Sequence, residues 1–394
     1  MMEMRKNGNP IQIWPLAVKY LPMNILVFSW RDPKHPLAGG AEQVMHEHMK
    51  GWGNGGHNVT LFASRFTGSL QEEVLDGVRI VREGNQYLGV QFKGFLYYRR
   101  HKNNFDLVVD QFHGLPFFTP LYVRKPKIAV IQETAREVWF LNHLVWPLNL
   151  IVGSLGFLVE PLIFLLYKNI TFVTGSESAK NDLAYFGILK KNITVIPHGV
   201  IVEKLEKIPP KEKKFTIVYL GVLSKDKGIE DAIKTFDILK DIDSFQFWVI
   251  GKAQTVEYEK KIKGLVGEFG LEKNVTFWGF VSQKQKFELL AKAHVLINPS
   301  FREGWGLVNI EANAMGVPVV AYSSPGLVDS VKDGESGILC KNNTPEELAK
   351  NIALISGDHS LYNKLQKRAK KWNSNFSWED SANKSLRLIE KVTT

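Results

Sequence analysis

Two glutamates eight residues apart, Glu303 and Glu311, mark the stretch of this chain best suited to chemistry, Ala293 to Ser324. An apolar run through Val295, Leu296 and Ile297 reads as a strand, the loop Phe301-Arg302-Glu303-Gly304-Trp305-Gly306 follows, and Leu307 to Met315 has helical spacing. Gly316 stops that helix and Pro318 opens another apolar strand. The free N–H groups and dipole at the helix mouth, near Gly306 and Leu307, suit a phosphate or sugar oxygen. At 100° per residue, Leu307, Ile310, Ala314 and Met315 share one face, with Asn309 and Asn313 on the other. Glu311 falls within the apolar face, where a carboxylate without donors is costly. Carboxylates accept hydrogen bonds and hydroxyls donate them, so two carboxylates offered to one cleft at two depths suit a hydroxyl-rich ligand. A bond from Glu311 to the backbone of its own domain is the structural alternative.

These residues need a scaffold that delivers loops to one edge. Strand-like runs recur at 23–30, 57–64, 78–83, 105–110, 127–132, 170–174 and 193–197, and again at 215–220, 245–250, 274–278, 293–300 and 318–323, with helical stretches between many of them. That pattern predicts an α/β protein of two Rossmann-like, doubly wound parallel-sheet domains facing across a cleft, with ligand sites at strand carboxyl ends. Residues 1–22 read as an extension and 23–199 as the first domain. The charged segment 200–214, with Pro209-Pro210, reads as a linker; 215–372 is the second domain and 373–394 a final helix. After the first strand, Gly39-Gly40 at a strand-to-helix turn lets a ligand approach the backbone closely. The dinucleotide fingerprint G-x-G-x-x-G is absent.

The run EGWGLVNIEANAMGVPVVAYSSPGLVDSVKDGESGILC resembles the donor-binding region of glycosyltransferase family 4, the retaining enzymes of GT-B fold. The resemblance extends over most of the chain from Asn24 onward. It implies that Glu303 contacts the transferred sugar and Glu311 the nucleotide ribose, with Gly304, Trp305, Gly306 and Leu307 around them. It gives Gly39 and Gly40 a place near the donor phosphates and acceptor. The family's Gly-Arg-Leu…Lys-Gly pattern falls on Gly221-Val222-Leu223…Lys227-Gly228. Lys227 is thus expected to neutralise the diphosphate, while Val222 lacks the arginine's bidentate fork and Lys225 is expected to compensate in part. Where many relatives carry a histidine at a strand end, this chain has Gln132, which keeps hydrogen bonds but no titratable charge. His113, one strand earlier, is the candidate substitute. The last helix is expected to cross back to the first domain.

The implied activity is transfer of a hexose-type sugar, with retention, from a nucleotide sugar to a glycan or lipid-linked acceptor in cell-envelope synthesis. The nucleotide sugar is then a substrate, and no cofactor or metal is expected. A non-catalytic sugar-nucleotide-binding or assembly subunit is the alternative that Val222 and Gln132 keep open, and a sugar-nucleotide epimerase is a third. The net charge of +10 and pI of about 9.3 favour phosphate-bearing partners. No nucleic-acid-binding signature accompanies the charge. A single cysteine, Cys340, excludes an internal disulfide and fits a reducing cytoplasm, with membrane association on the cytoplasmic face. Leu144 to Tyr167 is the most hydrophobic segment, but Pro147, Glu160 and Pro161 interrupt it. It either packs internally or lies in the interface of an anionic membrane, with Trp146 and Tyr167 at its ends and Lys168 beyond. His46 and His48, two apart on a helix, diverge and make a poor metal pair. Asp241-Ile242-Asp243 lies away from any glycine loop and is not read as a metal motif.

Overall fold

The computed structural model describes residues 21–394 except 87, 113, 143, 204, 243 and 244. His113 and Asp243, singled out above, therefore lie outside the described residues. The first lobe holds strands β1 (Asn24–Phe28), β2 (Asn58–Ala63), β3 (Glu72–Leu75), β4 (Val78–Arg82), β5 (Leu107–Gln111), β6 (Lys127–Val130), β7 (Thr171–Thr174) and β8 (Ile193–Val195). Their spatial order is β3-β4-β2-β1-β5-β6-β7-β8. Helices α1 (Gly40–Asn54), α2 (Gly89–His101), α3 (Leu148–Leu166) and α4 (Glu177–Tyr185) connect them. Central strands such as β5, LVVDQ, are buried at every position, which is why they read as continuous apolar runs instead of alternating ones. The parallel expectation needs one correction. β3, whose EEVL sequence is half polar, adds antiparallel to β4 and closes that edge of the sheet with a polar strand.

The second lobe orders its strands β11-β10-β9-β12-β13-β14, all parallel. They are β9 (Phe215–Leu220), β10 (Phe245–Ile250), β11 (Val275–Gly279), β12 (Val295–Asn298), β13 (Val319–Ala321) and β14 (Gly337–Leu339). Around them pack α5 (Ile229–Leu239), α6 (Val256–Glu268), α7 (Gln283–Lys292), α8 (Leu307–Ala314), α9 (Leu327–Ser330), α10 (Pro345–Gly357) and α11 (His359–Asn373). One core runs through this lobe, from Ile217 and Phe247 to Leu296, Val320 and Ile352. Cys340 is buried in it, and burial pushes its thiol up to about 12, so it is a packing residue and not a nucleophile.

The last helix, α12 (Trp378–Thr393), packs against α1 of the first lobe. His48 and Trp52 of α1 pair with the hydroxyls of Ser381 and Ser385 at 3.0 and 2.9 Å. A Cβ at Gly51 would come within 2.6 Å of Ala382, so only glycine allows this approach. Two further links cross between lobes. Asp329 of α9 accepts from the backbone N–H of Glu177 at 3.0 Å, capping the N-terminus of α4 where a negative charge is favoured. Arg302 reaches into the first lobe to pair with Asp182 and, at 3.1 Å, Glu137.

The loop after β1 is fixed by a fully buried ion pair. Arg82 of β4 donates to both oxygens of Asp32, at 2.7 and 2.8 Å, and neither side chain is exposed. This fork anchors the chain that leads to Gly39 and α1. Replacing Arg82 by Met should destabilise the first lobe by about 3–5 kcal/mol, because Asp32 is left buried and unpaired. Urea denaturation would read this loss, and a variant within about 1 kcal/mol of the parent would contradict it.

Candidate functional site

The carboxyl ends of β1, β6, β9 and β12 face one another across the cleft, and their loops line a cavity of about 360 Å³. From the first lobe come Gly39, Gly40, Gln111, Gln132 and Glu133, and from the second Gly221, Lys227, Glu303 and the loop to Leu307. The first-lobe wall is held by α1, whose N-terminus is closed by Glu42. Its carboxylate accepts from Gly39 N at 2.7 Å through one oxygen and from Arg31 Nε at 2.9 Å through the other. The two walls touch. A Cβ on Gly304 would lie 2.8 Å from Gln132, and one on Gly40 would lie 3.2 Å from Leu307. Glycine at 304 is thus a condition for the lobes to meet at this spacing.

The loop that carries Glu303 is clamped by backbone contacts. Phe301 N donates to Asp226 O at 2.9 Å, and Glu303 N to Pro325 O at 3.0 Å. Gly228 (φ +70°) and Gly326 (φ +80°) take left-handed conformations in the adjoining turns, where a Cβ would meet Pro299 O or Glu303 O at about 2 Å. So fixed, Glu303 accepts from Ser300 Oγ at 2.9 Å and pairs with Lys227 Nζ at 3.0 Å. Gly306 (φ +81°) then starts α8, whose first turn opens onto the cavity at Leu307 and Val308.

Lys227 is the hub. Besides Glu303 it has Asp226 at 3.7 Å, and burial alone would lower its pKa. The carboxylates of Glu303, Glu133 and Asp226 outweigh that burial and hold it well above the ordinary lysine value. In the sequence Glu133 is one acid of the strand-end segment 132–137, where ligand sites are expected, with nothing to give it a role of its own. It lies beside Gln132 on the cavity wall, and burial pushes its carboxyl up to about 7, with Lys227 pulling down and Glu303 pushing further up. Four buried polar atoms of cavity-lining residues have no hydrogen-bond partner among the described residues: Glu133 Oε2, Gln111 Oε1, His198 Nδ1 and the indole nitrogen of Trp305.

Gln132 is paired with a second residue that the sequence did not reveal. His198 Nε2 lies 2.7 Å from Gln132 Oε1, and the imidazole stacks on Trp378 at 6.1 Å. Burial, with His48 nearby, pushes His198 down to about 3. The ring is therefore neutral, Nε2–H donates to the amide oxygen, and the NH2 of Gln132 is left for another acceptor.

Several expectations need correction. Glu311 does not line the cavity: it is buried against Lys286 of α7 at 2.5 Å, and burial raises its pKa. Lys225 is exposed and stands off the cavity wall, so it does not replace the arginine missing at Val222. Asn309 and Asn313 are wholly buried, since Asn309 bridges Asn298 and Ser330 and Asn313 donates to the carbonyls of Val317 and Ser336. Helix α8 thus has no polar outer face. Among the described residues no group of three or more His, Cys, Asp or Glu side chains is placed to hold a metal ion.

Because the Glu133 pKa is raised from 4.5 to about 7, the folded state retains a proton that the unfolded chain releases in that window. The stability carried by the neutral carboxyl is full below about 4.5 and lost as pH rises through about 7. Glu133→Gln should therefore match the parent in urea melts near about pH 4 and exceed it near about pH 8. A difference that does not change with pH would contradict this assignment.

The family profile described as "Glycosyl transferases group 1" matches residues 201–372, and that described as "Glycosyltransferase Family 4" matches residues 38–204. The chain is 28% identical over 241 residues to a glycosyltransferase of Methanocaldococcus jannaschii, covering 58% of this chain and 60% of that one. It is 30% identical over 226 residues to the capsular polysaccharide biosynthesis glycosyltransferase CapM of Staphylococcus aureus, covering 52% and 58%. The matches thus span three fifths or less of these relatives. Sucrose-phosphate synthase from Thermosynechococcus elongatus shares the fold with a TM-score of 0.76 at 20% identity, over 94% of this chain and 98% of that one. HepE of Anabaena, solved with UDP and glucose, gives 0.69 at 17% identity over 94% and 100%. With one profile on each lobe and the two parallel sheets of the GT-B fold around a shared cleft, the chain belongs to the group 1, family 4 glycosyltransferases.

Proposed function

We propose that this protein transfers a hexose-type sugar from a nucleoside diphosphate sugar to a glycan or lipid-linked acceptor, with retention, in cell-envelope polysaccharide synthesis. The observation that carries this reading is the set of unpartnered polar atoms facing a cavity whose one second-lobe cation is Lys227. Three acceptors and one donor without partners are what a polyhydroxylated ligand would satisfy, and Lys227 beside the N-terminus of α8 suits its phosphates. The names of CapM, for capsular polysaccharide, and of the UDP-and-glucose complex of HepE support the same substrate class.

In this reading the diphosphate takes Lys227 from Glu303, which turns to a sugar hydroxyl. The bond from the anomeric carbon to the phosphate oxygen breaks with the electron pair going to phosphate. The acceptor oxygen bonds to the same face of that carbon and gives its proton to the departing phosphate. Lys227 and the amides at Gly306 and Leu307 stabilise the departing charge, so no resident metal is invoked. The setting proposed is the cytoplasmic face of an envelope membrane.

A second reading, a non-catalytic sugar-nucleotide-binding subunit, is favoured by one observation: Val222 and the outlying Lys225 leave the phosphates a single lysine. A donor screen with UDP-, GDP- and ADP-sugars, following hydrolysis and transfer, separates the two. Lys227→Ala should lower turnover about 10²–10³-fold, as loss of a preorganised charge partner does, and Glu303→Ala should abolish it while nucleotide binding persists. Binding without turnover for every donor would establish the subunit reading instead.

A further inference from the structure

We propose that α3 is an interfacial anchor that seats the first lobe on an anionic lipid bilayer. Among the described residues α3 is the one helix long and apolar enough to cross a membrane, with a mean hydropathy of 2.0, yet only 22% of it is buried. A narrow stripe faces inward. Gly153 and Gly156 abut Phe140 and Trp139 so closely that a Cβ would clash, at 2.8 and 2.3 Å. The buried Glu160 accepts from the backbone N–H of Ala135 and Arg136 at 2.7 and 2.8 Å and from Trp139 Nε1 at 3.1 Å. These contacts pin α3 to residues 135–141 along its length. Its ends also join β6 and β7, adjacent strands of one sheet, so the helix cannot thread across a bilayer.

The remaining surface is apolar and uncovered. Trp146, Ile151, Leu155, Leu158, Leu162 and Leu165 are each 58–78% exposed. At 100° per residue the exposed apolar positions of α3 sweep about 220° of its circumference, broken by Ser154 and Pro161. One partner helix covers an arc of about half that, so a second copy would leave much of it wet, whereas lipid surrounds an embedded face entirely. Phe186, which stacks on Phe164 at 4.7 Å, brings the exposed Tyr185 and Leu189 alongside and extends the patch.

Charge selects the kind of bilayer. Arg124 and Lys125 precede β6, Lys168 precedes β7, and Lys190 and Lys191 precede β8. The registers of these neighbouring strands bring all five to one edge, next to the carboxyl end of α3. All five are exposed, and none has an ion-pair partner among the described residues. An apolar face bordered by unpaired cations, with a tryptophan at the opposite end, matches an interface rich in anionic headgroups. The helix starts on the cleft side of the sheet, so this seating brings the cleft to the bilayer surface. The inference rests on this surface alone; if it fails, transfer to a soluble acceptor still stands.

The test is co-sedimentation of the full chain with phosphatidylcholine vesicles, with or without about 30 mol% phosphatidylglycerol, at low and high salt. The protein should pellet with anionic vesicles at low salt. The variant Ile151→Glu, Leu158→Glu should lose that binding at least tenfold with an unchanged melting temperature. Lys190→Glu, Lys191→Glu should lose the preference for phosphatidylglycerol. Full recovery of the parent in the supernatant, or equal binding by the glutamate variant, would overturn the proposal. So would a parent dimer in sedimentation velocity that the same variant dissociates without any vesicle binding, because the face would then join two copies.

Discussion

A single half-buried ammonium, Lys227, has to balance Glu303, Glu133 and Asp226 in the cleft between the lobes. Three full negative charges around one positive charge would be costly at low effective dielectric, and the site relieves this by holding Glu133 partly protonated near neutrality. The clamped loops around Pro299, Ser300 and Pro325 allow no easy escape for Glu303, so the balance is imposed by the backbone. Any phosphate that enters must take over the lysine and disturb every carboxylate coupled to it.

The cleft keeps its shape through latches of different character. Arg302 buried against Asp182 is a strong, desolvated contact, whereas its partner Glu137 is 63% exposed and contributes less in salt. Asp329 at the N-terminus of α4 ties the lobes on the same side. The packing of α12 on α1 through Trp52, Ser381 and Ser385 ties them on the other. Relative motion of the lobes would have to exchange the ionic contacts while the helical one acts as the fixed strap, which is how a closing cleft can exclude water without losing register.

Much of this architecture was legible in the sequence because buried parallel strands are apolar throughout and their loops carry glycines. The motif from Glu303 to Leu307 reads the same way, as do the glycines at 39, 40 and 221. What was not legible depends on desolvation and on distant neighbours. Glu133 looks like any loop acid until Lys227, almost a hundred residues away, is set beside it. His198 acquires its role only through Gln132 and Trp378. The helical-wheel reading of α8 failed at Asn309 and Asn313 because buried asparagines hydrogen-bonded to distant neighbours mimic a solvent face in sequence. Glu311 was drawn toward the cleft by its spacing, but a lysine from another helix holds it elsewhere. The edge strand β3, four residues of which two are glutamates, carried too short an apolar run to read as a strand.

The proton balance of nucleotide binding reads the coupling between Lys227 and Glu133 directly. Calorimetry of UDP, GDP or ADP, whichever binds most tightly, in two buffers of different ionisation enthalpy near about pH 7 would give it. A diphosphate placed beside Lys227 raises the Glu133 pKa further, so binding should take up a proton and tighten as pH falls, and Glu133→Gln should remove the uptake. No uptake, or proton release centred on this site, would contradict the account.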